Sequence, residues 1–405
     1  MKYTIGELAE IIDGDRGKNY PQQHEFFDSG YCLFLNTGNV TATGFSFQSN
    51  QFITQAKCDI LRKGKLQRGD IVYTTRGTVG NAAFYNDCVP YEHIRINSGM
   101  VIIRPHKDVV CTEFLYQILK STYYRPYFKQ YCTGSAQPQL PIKNFSQIEL
   151  DIPTLEIQRK IAAVLSAYDN LIENNQKQIK LLEEAAQRLY KEWFVDLRFP
   201  GYETTPVVDG VPEGWRYRTV AEFGDIITGK TPSTSKAEYY DGTIPFVTIP
   251  DMHNHVYPLL TEKTLTNTGA NTQKNKFIPA KSVLVSCIAT VGLVNIAFEK
   301  CQTNQQINSV VLFREKDLYF VYESMLRIKD LLDGVGSNGA TMTNVNKTKF
   351  SNIRILCPPE PVIDAFYSWC MPVFENILTL SKSILKAQQA RDRLLPKLMS
   401  GEIEV

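Results

Sequence analysis

The two halves of this chain carry the same short motifs in the same order, and each half closes on about forty residues patterned for helix. Such a chain reads as two related domains joined by long helices. The repeat distance is about 205 to 215 residues, far beyond the 20 to 50 of solenoids and propellers. Tyr3–Gly14 aligns, with a one-residue slip, with Tyr217–Gly229 through a shared Glu-apolar-x-x-Ile-Ile-x-Gly pattern. Asp28 and Gly30 before Phe34 match Asp241 and Gly242 before Phe246, and Gly69–Gly80 matches Lys281–Gly292, ending in the same Thr-Val-Gly. Ile96-Asn97-Ser98 is set against Ile307-Asn308-Ser309, and Phe145–Ile148 with Pro153 against Phe350–Ile353 with Pro358.

From Leu155 to Phe194 there is no Gly or Pro, and apolar residues recur in heptads. Leu165, Ile172, Ile179, Ala186 and Trp193 hold one position; Ile161, Tyr168, Leu182 and Leu189 hold the other. The second copy carries Ile363, Cys370, Ile377, Ile384 and Leu398, with Phe366, Val373, Leu380, Ala387 and Leu394. Pro372 and Pro396 interrupt it, which predicts a kink or late start and a terminal break. Forty residues at about 1.5 Å each span roughly 60 Å, too long for one small domain to cover, so the two helices are expected to bury their stripes against each other. Asn175 and Arg391 fall on those stripes, either fixing register or lying at solvated points.

The remainder is rich in short β-type runs: Asp70–Thr75, Met100–Arg104, Pro245–Ile249, Val283–Cys287 and Ser309–Phe313. Amphipathic pieces at Thr112–Leu119 and Leu318–Leu332 add a helix to each half. The fold class is therefore α+β, with two duplicated mixed α/β domains separated by long helices. The divisions are a first domain over 1–153, a central helix over 154–196, a linker over 197–211, a second domain over 212–358, and a C-terminal helix and tail over 359–405.

Composition narrows the function. With 43% apolar and 21% charged residues the chain is an ordinary globular one, not a disordered or low-complexity one. Lys plus Arg total 44 against 42 for Asp plus Glu, so any site for a polyanion is a local patch rather than a whole-molecule field. Nine widely spaced cysteines without a Cys-x-x-Cys pair fit a reduced, cytoplasmic setting. The N-terminus lacks an apolar signal region, and the longest apolar-leaning stretch, Val283–Phe298, is broken by Ser286, Thr290, Gly292 and Asn295, which disfavours secretion and membrane spanning.

Gly224-Asp-Ile-Ile-Thr-Gly229-Lys230-Thr231 matches the phosphate-cradling loop Gly-x4-Gly-Lys-Thr, but that chemistry needs a strand before and a helix after. Arg218–Phe223 reads as an amphipathic helical start, and Pro232 through Ser235 follow where the helix should begin. His253 and His255 near Asp251 form a weak metal pair in an irregular stretch. No catalytic constellation and no metal site is found.

What remains are basic and polar clusters able to hold phosphates or read base edges. In the first half the candidates for DNA contact are Arg16, Lys18, Arg62, Lys63, Thr75, Arg76, Gln137 and Lys143. In the second they are Lys230, Ser233, Thr234, Lys274, Asn346 and Lys347.

Several motifs give the chain a family likeness. Val211-Pro-Glu-Gly-Trp215 leads into Gly229-Lys-Thr-Pro-Ser233 and Ile244-Pro-Phe246. The first half has Leu66-Gln-Arg-Gly-Asp70, Thr75–Gly80 and Gly134–Leu140; the helical parts have Ile157–Ile161, Asp169–Glu173, Trp193–Asp196, Leu394–Leu398 and Ser400–Ile403. In these the chain resembles the specificity subunit of a type I restriction-modification system over nearly its whole length. It departs in three places: Lys281-Ser282 stands for Gly69-Asp70, Ile288 for Arg76, and the second copy lacks the Gln137-Pro138 pair.

The resemblance implies two target-recognition domains held by helices paired as an antiparallel coiled coil. Its expected interface is Ile161, Leu165, Tyr168, Ile172, Ile179, Leu182 and Leu189 against Phe366, Val373, Ile377, Leu380, Ile384 and Leu394. It further implies a chain without catalysis of its own, which directs two adenine-methylating modification subunits and ATP-dependent restriction subunits to a bipartite, asymmetric site on double-stranded DNA. S-adenosylmethionine, ATP and Mg would belong to those partners. Outward helix residues Gln176, Lys177, Lys180, Glu184, Lys382, Lys386 and Gln389 would dock the modification subunits. A coiled-coil scaffold with two ligand-binding domains not specific for DNA is the alternative.

Overall fold

The computed structural model describes residues 1–134, 137–329 and 344–405. It divides into two units, Met1–Ile172 with Lys386–Val405, and Glu173–Leu385.

In the first unit a four-stranded antiparallel sheet has the order Ala9–Asp13, Met100–Pro105, Ile71–Thr74, Ala82–Phe84. Its central strands are mostly apolar because both faces are covered, with Arg104 and Thr74 near their ends, and the period of two sorts their side chains. Val101, Ile103, Ile71 and Tyr73 join Phe114, Leu115 and Ile118 of the helix Thr112–Lys120 in one cluster. Met100, Ile102 and Val72 turn the other way, onto Leu33, Leu35, Ile94 and Ile96 of a three-stranded sheet. That second sheet runs Phe52–Ile53, Cys32–Leu35, Ile94–Ile96, with the last pair parallel.

The second unit repeats this plan strand for strand. Its four-stranded sheet is Gly224–Thr228, Ile307–Leu312, Val283–Ser286, Val294–Ile296; its three-stranded sheet is Lys263–Leu265, Tyr240–Val247, Gln302–Thr303, again with one parallel pair. In each unit a short ribbon joins the beginning of the domain to its end: Lys2–Thr4 with Glu149–Asp151, and Arg216–Thr219 with Arg354–Cys357.

Register corrects one sequence alignment. Met100 faces Thr74 across the first sheet as Ile307 faces Ser286 across the second, so Ile307 is the counterpart of Met100, not of Ile96. Asn97 therefore corresponds to Asn304, and Asn308 to Val101. The Arg218–Phe223 segment is likewise not helical: it is a strand to Thr219 followed by the single turn Val220–Glu222. The helix expected over Leu318–Leu332 runs over Leu318–Leu326, and the part past Lys329 lies outside the described residues.

The long helices are Leu155–Tyr190, ending in the wide turn Lys191–Val195, and Glu360–Ser400. Neither Pro372 nor Pro396 delays or ends the second one. Each proline removes a backbone donor and crowds the carbonyl four residues before it, at about 3 kcal/mol, while the side chains around them, Cys370 and Phe374 near the first and Leu395 and Leu398 near the second, are buried and hold the helix in place.

Within the first unit the helix segments run antiparallel: Lys160 Nζ donates to Val405 O at 3.4 Å and Arg391 Nη1 to Asp169 Oδ1 at 2.8 Å. Ile161 and Leu165 are buried with Leu395 and Leu398, while Tyr168 and Leu394 are partly exposed. Arg391 thus sits on its stripe as half of an ion pair. Asp169 also accepts from Gln117 Nε2 at 2.6 Å and from Lys120, fastening the helix to the domain. Burial pushes the Asp169 carboxyl up, and Lys120, Gln117 and Arg391 together bring it below its ordinary range.

Within the second unit Asn175, buried on the stripe, donates to Ser383 Oγ at 3.1 Å. Phe194 meets Phe366 edge-on with centroids 5.0 Å apart, and Phe320 at 4.9 Å. Phe366 and Ile377 are buried, and Ile179, Leu182, Leu189 and Val373 pack partly buried on the same core. Leu380 and Ile384 are half-buried; Ile172, at the end of the first unit, is 6% exposed. Gln176, Lys177, Lys180, Lys382, Lys386 and Gln389 are exposed and Glu184 half-buried. Among the described residues no helix is long and apolar enough to cross a membrane.

Candidate nucleic-acid interface

Both four-stranded sheets have one end at which their loops converge. In the first domain the outer strand ends at Asp13, and the chain turns immediately through Gly14. A Cβ there would lie 2.5 Å from Asn97 O, so only glycine lets the two loops cross. Asp15, 7% exposed, then accepts from the backbone amides of Gly17 and Arg62, each at 2.9 Å, through its two carboxylate oxygens. Those amides, Gly17 first, hold the carboxyl below its ordinary range. Arg16 and Arg62 are thereby brought to one place, and with Lys63 they line a cavity of about 370 Å³. Arg16 Nη2 donates to Asp13 Oδ1 at 3.1 Å and Ser98 O at 3.3 Å. Lys18 stands exposed beside them in sequence.

The segment carrying Arg62 and Lys63 is fixed from beneath by Arg95, which is 5% exposed. Its guanidinium donates to Leu61 O at 2.8 Å and Lys63 O at 2.7 Å. Thr75, expected among the contact residues, is 4% exposed, and its hydroxyl donates to Gly99 O, so it serves the framework. Arg76 follows it half-buried, with its own amide on Gly99 O at 3.1 Å. Leu140 N donates to Thr75 O at 2.9 Å, which ties in the loop bearing exposed Gln137; Lys143 is exposed on the short helix Ile142–Ser146. Ser135 and Ala136 of the Gly134–Leu140 motif lie outside the described residues.

The second domain builds the same end with different letters. Gly229 occupies the place of Gly14, and a Cβ there would lie 2.1 Å from Asn304 O. Lys230, exposed, anchors its amide on Thr303 O at 2.9 Å while its carbonyl accepts from Gln273 Nε2 at 2.7 Å. Gln273 and Gln302 pair through their amides at 2.8 Å, and Gln302, fully buried, also donates to Ala270 O. This pair takes the part of Arg95. Lys274 is exposed eight residues past the helix-capping Thr266, as Arg62 is past the capping Thr54. Ser233, bonded to Ser235 at 2.9 Å, and Thr234 are exposed on the loop after Lys230. Val345 N donates to Cys287 O at 2.7 Å, as Leu140 does to Thr75, and sets Asn346 and Lys347 at this end. Asn346 caps its helix through Lys349 N at 2.9 Å, so its side-chain oxygen is already engaged, and Lys347 is exposed.

The phosphate-loop match dissolves in this geometry. Gly224–Thr228 is a strand, and no helix of eight or more residues follows Lys230 before Leu318 among the described residues. His253, His255 and Asp251 make no metal-binding group; among the described residues no three metal-ligating side chains are gathered. Arg95, Gln302, Asn97 and Asn304 were missed in the sequence. The paired glycines Gly14 and Gly229 were the one signal that a close crossing lay at these points.

Comparison with known proteins agrees with this duplicated plan. A family described as the type I restriction modification DNA specificity domain matches twice, at residues 1–184 and 212–364. The specificity subunit of the type I restriction enzyme HindI from Haemophilus influenzae is 31% identical over 471 aligned positions, covering 98% of this chain and 100% of the relative. The MjaIX specificity subunit from Methanocaldococcus jannaschii is 30% identical over 352, covering 84% and 78%. A crystal structure of the type I restriction-modification S subunit from M. genitalium has the same fold, with a TM-score of 0.56 at 13% identity, covering 98% of this chain and 96% of that one.

Proposed function

The chain belongs to the type I restriction modification DNA specificity family, and from that premise we propose that it is the DNA-reading subunit of a type I restriction-modification complex. Each domain reads one block of a bipartite, asymmetric site, and partner subunits carry out adenine methylation or cleavage there. The chain itself contributes no catalytic residue; S-adenosylmethionine, ATP and Mg act on the partners, in the cytoplasm. Two modification subunits dock on the exposed helix faces that carry Lys177, Lys180, Lys382 and Lys386.

The observation that carries this reading is the matched pair of loop ends. One scaffold appears twice, with the same strand order and the same glycine crossing, yet it presents Arg16, Arg62 and Lys63 in one copy and Lys230, Lys274 and Lys347 in the other. Two equivalent surfaces with unequal side chains suit two unequal DNA blocks. Basic residues on the loops position the phosphates, and neighbouring polar groups face the base edges. The net charge of only +2 leaves the lone chain to bind weakly and with strong salt dependence.

The test is single-molecule sequencing of genomic DNA from cells that co-express this chain with its neighbouring methyltransferase subunit. The expected result is one split motif of modified adenines, of which exchange of residues 1–153 alters one block only. If an assembled complex with a competent methyltransferase adds no methylation, the reading fails and the scaffold alternative replaces it.

A further inference from the structure

At the centre of each loop end lies a tight turn that leads into the middle strand of the four-stranded sheet. In the second domain it is Asn304-Gln305-Gln306. Asn304 is buried; its amide donates to Val247 O at 3.2 Å, and its side chain closes the turn, with Oδ1 accepting from Gln306 N at 3.1 Å and Nδ2 donating to Gln306 Oε1 at 3.0 Å. Two other segments are pinned to it by three hydrogen bonds: Lys230 N on Thr303 O and Gly229 N on Ile307 O from one, and Cys287 N on Gln306 O at 2.8 Å from the other. The first domain repeats this hub. Asn97 N donates to Leu35 O at 3.0 Å, Asn97 Oδ1 accepts from Gly99 N at 2.9 Å, and Thr75 N donates to Gly99 O at 2.9 Å.

The backbone of the hub is shared, but what it displays is not. Ser98 and Gly99 occupy the positions that Gln305 and Gln306 hold in the second domain. Gln305 is exposed at the tip, and it is not loose: Thr231 Oγ1 donates to its Oε1 at 2.7 Å. With the carbonyl oxygen held by Thr231, the amide nitrogen of this exposed side chain remains available to donate. Guanine, adenine and thymine all carry an acceptor in the major groove, whereas cytosine presents only its N4 donor there.

We propose that Gln305 is a specificity-determining residue of the second domain, donating to the major-groove edge of one base and excluding cytosine at that position, with Thr231 as the positioning residue that holds it. The inference rests on the DNA-reading function above and names one of its contacts.

The assembled complex, with its modification subunits, is measured by competition binding against duplexes varied one base pair at a time, for wild type, Gln305→Ala, Gln305→Glu and Thr231→Val. In the wild type, cytosine at one position of one block is disfavoured by about 10-fold or more. Gln305→Ala is expected to lose that discrimination at that position alone, and Gln305→Glu, which can only accept, to reverse it toward cytosine. Thr231→Val, which keeps the amide but removes its tether, is expected to reduce it by about 3-fold or more. A Gln305→Ala complex that keeps the wild-type preferences overturns the inference. So does one weakened equally on all duplexes, as loss of a phosphate contact or of the turn would produce. A wild-type complex without sequence preference overturns the DNA-reading function itself, a distinct failure.

Discussion

Asp15→Ala tests whether the Asp15 carboxylate holds the loop end of the first domain together. The carboxylate is 7% exposed and accepts two backbone amides at 2.9 Å, one on its own loop and one at Arg62, 47 residues away in sequence. A hydrogen bond to a charged acceptor contributes about 1.5–3 kcal/mol. Partial rehydration of the freed amides offsets some of the loss, leaving a local cost of about 2–3 kcal/mol. That cost falls on the loops bearing Arg16 and Arg62, not on the sheet beneath. DNA binding then has to re-form their geometry, and cognate affinity drops by about 30- to 150-fold. The assay is competition binding by the assembled complex, with thermal melting in parallel to show that the domain is intact. Asp15→Asn keeps one acceptor and should fall between. Since the amides lower the carboxyl's folded pKa, its stabilisation is complete above about pH 4 and is lost only as pH falls through the folded value, so the deficit should be the same at pH 6 and pH 8. An intact Asp15→Ala complex with wild-type affinity refutes the clip.

Asp169→Asn leaves Lys120 and Arg391 facing each other without their counter-charge, and about 2–3 kcal/mol of lost stability should lower the melting temperature by about 4–10 °C. Because the folded Asp169 pKa is lowered, the wild-type advantage over the variant should persist above about pH 4 and vanish below it. Replacing Arg62 or Lys63 by Ala should weaken binding equally across sequences and reduce the slope of log affinity against log salt by about 0.9 for each phosphate contact removed; an unchanged slope takes that residue off the DNA face. Burial, with Glu183 nearby, raises the Glu323 carboxyl to about 8, so the folded state favours the neutral form and loses stability as pH climbs from about 4.3 toward that value. Glu323→Gln should remove this fall, giving a melting temperature flatter than wild type between pH 5 and 8; parallel curves contradict it.

The large features of the fold were legible because each rests on a periodicity that burial enforces. Heptads marked both long helices, and apolar runs such as Met100–Arg104 marked strands covered on both faces. Prolines misled because their local cost of about 3 kcal/mol each is outweighed by the packing of Cys370, Phe374, Leu395 and Leu398, at about 1.5–3 kcal/mol for a fully buried large apolar side chain. The Arg218–Phe223 pattern suits a helix in isolation, yet it is claimed by the strand Arg354–Cys357, more than 130 residues away in sequence and invisible to local reading. The Asn97 alignment slipped for a similar reason. Identical letters at Ile307-Asn308 outweighed the role of Asn304, which is defined by what its side chain closes and not by its neighbours' names.

That slip also explains why charged residues were easier to nominate than base readers. Arg62 and Lys274 are found by composition, because phosphate contact asks only for a cation on an exposed loop. A base reader must instead be aimed, and Gln305 is aimed by groups that composition does not mark: buried Asn304, whose side chain closes the turn, and the Thr231 hydroxyl, which holds its carbonyl oxygen. The hub backbone therefore tolerates little. A side chain at Gly14 or Gly229 would drive Asn97 or Asn304 out of place, and at about 1–3 kcal/mol for overpacking would cost stability in the whole domain. The displayed side chains tolerate much, since Ser98 is half-exposed and Gln305 exposed, where substitutions usually cost within about 0.5 kcal/mol. A scaffold built this way can change the base it reads at the tip of the turn without refolding, which is the physical condition for one fold to serve two different DNA blocks in a single chain.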